Sequence, residues 1–281
     1  MLLTRVITAL VILPVVLGML FLAPPAGWAL FMLVIVLVAC WEWSRMCGLS
    51  PTGQAAYLAV SGAIGAFLWL LYLRLVPGNF AAMALTGFII ATVFWVAGAP
   101  LWLAQKLRPS PSTCAAAGWV VAWPAWLAFV VLRDTSPWLL LALAALVWVA
   151  DIAAYFAGKR FGRHKLAPAV SPGKTWEGVM GAVAGVVLYG AVLAWIANAN
   201  ATPLTSIFDE GAAIVVVLAM VGLTAVSVVG DLFESWMKRG AGLKDSSHLL
   251  PGHGGILDRI DALTSTLPVA ALALYGQRLA G

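Results

Sequence analysis

The chain is a succession of nine apolar runs, at roughly 6–23, 26–41, 55–73, 79–103, 114–132, 137–157, 178–197, 211–230 and 260–277. Charge, Pro or Gly separates each from the next. A bilayer core about 30 Å thick is crossed by about 20 apolar residues in a helix. The runs therefore predict an all-α integral membrane protein, a polytopic bundle of about nine transmembrane helices. A water-soluble fold is excluded, because 63% of the residues are hydrophobic and 10% charged, against about 25% charged in an ordinary globular chain. The first run follows Arg5 and could pass for a signal peptide, but about 18 apolar residues exceed the usual h-region of about 7–15. It reads as a span. The ninth run is the least regular, with Asp261 at its start and Pro268 inside it.

Orientation follows from the basic residues. With the N-terminus in the cytoplasm, thirteen of the sixteen Lys and Arg residues fall inside, and only Arg74, Arg133 and Arg278 fall outside. Membrane proteins gather Lys and Arg in cytoplasmic loops, so the C-terminus is expected to be external. The same bias accounts for the basic pI without nucleic acid as a partner. No repeat or linker divides the chain, which reads as one membrane domain over 1–281. Residues 1–133 carry no motif, and residues 137–277 carry two polar cytoplasmic loops, 158–177 and 231–260.

Smaller features have structural readings. Trp28, Trp102, Trp138 and Trp195 lie at span ends and are expected in an interfacial belt. Gly181 and Gly185 form a G-x-x-x-G that permits close helix packing within the chain. Cys40, Cys47 and Cys114 are odd in number and lie in or beside apolar runs, which suits packed thiols rather than a disulfide framework.

Chemistry is concentrated elsewhere. Sixteen of the 27 charged residues lie in the windows 151–177 and 231–261, which points to a site at the cytoplasmic surface rather than to polar groups scattered through broken spans, as in a transporter. In the first window Asp151 sits near the inner end of an apolar helix, where a carboxylate is costly unless paired or wetted. Ser171, Pro172, Gly173 and Lys174 read as a helix start, with Ser171 as N-cap and Pro172 first in the helix. Such a terminus suits phosphate oxygens, and Lys174 adds a positive charge. The G-K-T is not a phosphate-binding P-loop, because Pro168 stands where that motif needs Gly. Lys159, Arg160, Arg163 and Lys165 serve equally as topological anchors or phosphate contacts.

In the second window a helix would place Asp231, Glu234, Ser235 and Lys238 on one face. Asp258 and Asp261 are again three apart. Three carboxylates, Asp231, Asp258 and Asp261, brought together from two span ends would resist ionisation unless a cation joined them. Oxygen-only ligands favour Mg²⁺; His248 and His253 lack the companions of a zinc site. Gly252, Gly254 and Gly255 around His253 would let the backbone approach a phosphate. Arg239 and His248 serve equally as solvated loop residues.

The run from Ser235 to Asp261, S-W-M-K-R-G-A-G-L-K-D-S-S-H-L-L-P-G-H-G-G-I-L-D-R-I-D, resembles the signature of phosphatidate cytidylyltransferases, the CDP-diacylglycerol synthases. S-P-G-K-T-W-E-G at 171–178 and the upstream Asp151 are similar to that family's second block. The resemblance implies a multi-pass enzyme of the inner membrane that makes CDP-diacylglycerol and pyrophosphate from CTP and phosphatidate. It also implies Mg²⁺, a second cation and a homodimer. Asp231, Asp258 and Asp261 would hold metal, and Lys238, Arg239, Lys244, Asp245 and His253 would complete the catalytic signature. Asp151, Ser171, Lys174, Thr175, Glu177, Gly254, Gly255 and Arg259 would contact CTP or its phosphates. The rival readings are a CTP-dependent lipid kinase and a cation transporter. A CDP-alcohol phosphotransferase is disfavoured, since the chain has no D-G-x-x-A-R run followed by spaced aspartates.

Overall fold

Helix follows helix because an apolar backbone in lipid must satisfy its own N–H and C=O groups. The computed structural model describes residues 2–199 and 213–280. Its helices are α1 (Leu2–Leu22), α2 (Pro25–Met46), α3 (Pro51–Tyr72), α4 (Phe80–Val93), α5 (Ala99–Ala104), α6 (Pro111–Thr135), α7 (Pro137–Phe161), α8 (Trp176–Ala199), α9 (Ala213–Gly240) and α10 (Leu257–Ala280). A π-helical turn, Phe94–Gly98, joins α4 to α5 into one span. Pro stands in the first turn of α2, α3, α6 and α7, where its missing N–H costs nothing. Ser50, Ser110 and Ser136 cap the last three through their hydroxyls.

Among the described residues seven helices are long and apolar enough to cross a membrane; the apolar part of α1, Val6–Leu22, is shorter, and α10 is not one of the seven. Pro268 does not interrupt α10, which continues through it. α7 runs past its apolar run to Phe161, and α9 runs to Gly240, as the helix expected in the second window requires; 162–175 and 241–256 lie between helices.

The core centres on α6, which packs against α2, α3, α4, α7 and α10. Indole N–H groups stitch its seam with α2: Trp28 Nε1 donates to the Phe129 carbonyl, Trp126 Nε1 to that of Ala29, both at 3.0 Å, and Trp43 Nε1 to that of Cys114 at 2.8 Å. Trp28 is thus a buried core residue, not part of a belt, because its N–H has a partner inside the bundle. Trp138 and Trp195 are exposed, as a belt requires. Cys47 and Cys114 are paired as a disulfide across the same seam, and only Cys40 among the cysteines remains a free thiol. The spacing of 67 residues between Cys47 and Cys114 hid that pairing.

Two glycine contacts set the site's geometry. Gly181 and Gly185 of α8 lie against Ala157 and Ala153 of α7, so the G-x-x-x-G serves packing within the chain. A Cβ on Gly230 of α9 would stand 2.9 Å from Ser265 Cβ and 3.2 Å from the Asp261 carbonyl of α10. The next residue after this close approach is Asp231.

Candidate active site

The first polar window folds as an antiparallel hairpin, β1 (Lys165–Ala167) and β2 (Ser171–Thr175), rather than as a helix start at Ser171. The helix begins five residues later, at Trp176. Thr175 is its cap, its Oγ1 accepting from Gly178 N at 3.1 Å. Ser and Pro suit either role locally, and the Thr175 cap decides for the later start. Glu177, in the first turn of α8, reaches back to the backbone N–H groups of Arg163 and His164 and to His164 Nδ1 at 2.6 Å. It ties the hairpin's entry to α8 and does not line the cavity beside it.

That cavity, about 400 Å³, lies between α7, β2, α8 and α9, and its walls include Asp151, Lys159, Ser171, Lys174, Thr175 and Asp231. Lys174 crosses it to pair with Asp231, Nζ to Oδ2 at 2.6 Å. Asp151 faces the same pair.

The second window places Asp231, Glu234, Ser235 and Lys238 on one face of α9, as the spacing predicts. Ser235 Oγ donates to Asp231 Oδ1 at 3.3 Å, and Lys238 pairs with Glu234. Lys238 also holds Asp258, Nζ to Oδ1 at 2.6 Å. The other oxygen of Asp258 accepts from Gly255 N at 2.7 Å, Ser246 N at 2.9 Å and Ser246 Oγ at 3.0 Å. Burial alone would raise the pKa of Asp258, but the Lys238 hydrogen bond and the two amides outweigh it and hold the carboxyl below the usual carboxylate range. Gly254 is left-handed, φ +85°, and a Cβ there would come within 2.6 Å of Asp258 Oδ2. Glycine is needed there on both counts.

Asp231 and Asp261 stand close enough to repel each other, and Glu234 faces both Asp261 and Asp258. Among the described residues the ammonium groups paired within the set Asp151, Asp231, Glu234, Asp258 and Asp261 are Lys174 and Lys238. Carboxylates thus outnumber the ammonium groups that pair with them, and the buried Glu234 Oε1 has no hydrogen-bond partner. Oxygen-only donors with excess negative charge fit a hard divalent cation. Among the described residues no three His, Cys, Asp or Glu side chains converge on one point, because Asp258 turns to Lys238 and the loop.

The remaining signature residues lie outside this knot. Arg239, Lys244, Asp245 and Arg259 are exposed around the 241–256 loop, with Arg239 donating to the Leu243 carbonyl at 3.1 Å. His253 is partly buried, and its Nδ1 has no partner. It sits in a tight turn closed by Leu250 and Gly254 backbone hydrogen bonds of 2.8 and 3.1 Å.

The site also contains a residue from the N-terminal half, where no motif was legible. Glu42 of α2 is fully buried and accepts from both Ser246 and Ser247 hydroxyls and from the Ile256 and Leu257 amides. A lone carboxylate at the end of an apolar run was the available signal, since such residues are rare in spans and mark sites.

The fold and site together define a multi-pass α-helical membrane protein whose acidic cluster and lysines border a cavity between spans. Comparison with known proteins gives the particular kind. The cytidylyltransferase family pattern matches residues 3–276. The phosphatidate cytidylyltransferase of Pseudomonas aeruginosa is 41% identical, over 98% of this chain and 97% of its own. Those of Haemophilus influenzae and Brucella suis are 35% and 37% identical, over 95% and 97% of this chain and 96% and 92% of theirs. The chain belongs to the cytidylyltransferase family.

Proposed function

We propose that this protein transfers the cytidylyl group of CTP to phosphatidate, giving CDP-diacylglycerol and pyrophosphate for phospholipid synthesis. The observation that carries the reading is the Lys174–Asp231 contact across the α7–α9 cavity, in a chain alike from end to end to phosphatidate cytidylyltransferases.

In the reaction an oxygen of the lipid phosphate attacks the α-phosphorus of CTP. A new P–O bond forms as the bond from that phosphorus to the bridging oxygen breaks, and pyrophosphate leaves with the electron pair. The attacking oxygen is already anionic, so no general base is required. What must be supplied is positioning and neutralisation of two mutually repelling anions. Lys174 and Ser171, on the cavity wall, would bind the triphosphate. Lys238, buried between Glu234 and Asp258, would orient Asp258 and offset charge on the departing pyrophosphate. Asp231 and Asp261 would hold Mg²⁺, with Asp258 held beside them by Lys238, and bound there the ion would neutralise both anions. A second cation is expected in the same cluster.

The same reading takes all nine apolar runs as crossing the inner membrane, the N-terminus and site facing the cytoplasm and the C-terminus outside. The acyl chains then stay in lipid while the headgroup meets soluble CTP. The family resemblance adds a homodimer. The test is pyrophosphate release by the purified protein. It should require CTP, phosphatidate and Mg²⁺ together, and release without phosphatidate would contradict the proposal.

A further inference from the structure

Glu42 lies about two hundred positions before the signature loop, yet it accepts as many of the loop's hydrogen bonds as Asp258 does. Its Oε1 takes the Ser247 hydroxyl and the Ile256 N–H at 3.0 Å; its Oε2 takes the Ser246 hydroxyl at 3.1 Å and the Leu257 N–H at 2.6 Å. Each oxygen thus receives one hydroxyl and one amide. The amides are those of Ile256, just before α10, and Leu257, its first residue, so the carboxylate also sits at the positive end of that helix. One turn further along α2, Arg45 Nη1 donates to the Ser246 carbonyl at 3.2 Å. α2 therefore grips the loop at two places, 246–247 and 256–257.

What the grip holds in place is Asp258. Ser246 donates its N–H to Asp258 Oδ2, and its hydroxyl lies 3.1 Å from Glu42 Oε2 and 3.0 Å from Asp258 Oδ2. One hydroxyl proton serves two carboxylates. Gly255 presents its amide to Asp258 at 2.7 Å, and a side chain on Gly255 would run into Glu42 and Ser246. Ser246, which gives Asp258 two of its donors, is thus itself fixed from α2.

We propose that Glu42 is a positioning residue for cytidylyl transfer, setting the 246–257 loop and the first turn of α10 so that Asp258 and Asp261 meet Lys238 and Asp231. The proposal rests on the function proposed above. Glu42 lies outside the cavity lined by Lys174, so its loss should act on turnover and not on nucleotide binding.

The test compares Glu42→Gln and Glu42→Asp with the wild type, purified and assayed with CTP, phosphatidate and Mg²⁺. Gln offers an NH₂ where two of the four donors need an acceptor. Its kcat should fall about 10- to 100-fold, as for supporting residues around other reactive centres, with the KM for CTP within about twofold. Asp keeps both acceptors on a shorter stem and should recover part of the rate. In the absence of substrates and metal, amides of 246–257 should exchange faster in Glu42→Gln while those of α7 and α8 do not change. If Glu42→Gln does not fold, Ser247→Ala removes a single donor and should show the same kcat-against-KM split in smaller measure. Wild-type kcat per folded molecule in whichever variant folds, or an equal rise in KM, would overturn the proposal. Wild-type protein that makes no CDP-diacylglycerol would contradict instead the function on which it rests.

Discussion

Lys238 on α9 and Asp258 on α10 meet at 2.6 Å, and the same lysine pairs with Glu234 one turn back on its own helix. One ammonium group therefore joins the two helices that carry the acidic cluster. Removing one partner of such a pair leaves a buried charge uncompensated.

Asp258→Asn removes the charge but keeps the shape. Lys238 retains Glu234, so the protein should still insert and fold. Turnover should fall by about 100-fold or more, because the group acts on charge developing in the transition state. Turnover close to wild type in this variant, measured on purified protein, would make Asp258 a structural residue only.

Lys174→Met should act on binding. The lysine lines the cavity and its partner there is Asp231. Loss of one charge contact of about 1.4 kcal/mol corresponds to a tenfold weaker complex, so the KM for CTP should rise by about that factor. Steady-state kinetics over a CTP series check it, and a fall in kcat alone would contradict it.

Gly230→Val tests the helix contact that brings Asp231 to Asp261. A Cβ at this position already meets Ser265 Cβ at 2.9 Å, and overpacking of this kind costs about 1–3 kcal/mol. The variant should unfold at lower temperature in detergent and lose activity per folded molecule. Full activity would mean that the two carboxylates need not face each other.

The sequence carried the architecture and half of the site. Apolar run length located every helix that the structure describes, because in lipid the length of a run and its hydrogen bonding are one constraint. Helical spacing placed Asp231, Glu234, Ser235 and Lys238 on one face without knowledge of the fold. Long-range partners were not legible. Nothing local in α2 says that Glu42 will cap a helix beginning at Leu257, or that Cys47 will meet Cys114. Trp28 looked interfacial because its position at a run's end does not reveal the carbonyl of Phe129 opposite. Ser171 failed as a helix start because a hairpin tolerates the same residues and Thr175 makes the cap.

α10 decides the side on which the C-terminus lies. Its first turn holds Asp258, and its length of 24 residues is enough to cross. A tag fused after Gly281 should be reachable by an impermeant reagent from outside intact cells. Labelling only after the cells are opened would show that the ninth run turns back.

The central claim is that CTP gives up its α-phosphorus, with the nucleoside, to a lipid phosphate. The direct measurement is the fate of label when purified protein, phosphatidate and Mg²⁺ are supplied with CTP carrying ³²P at either the α or the γ position. The account predicts that α label enters the lipid fraction and γ label leaves as pyrophosphate. Recovery of γ label in lipid, with CDP as the soluble product, would identify a kinase and contradict the account.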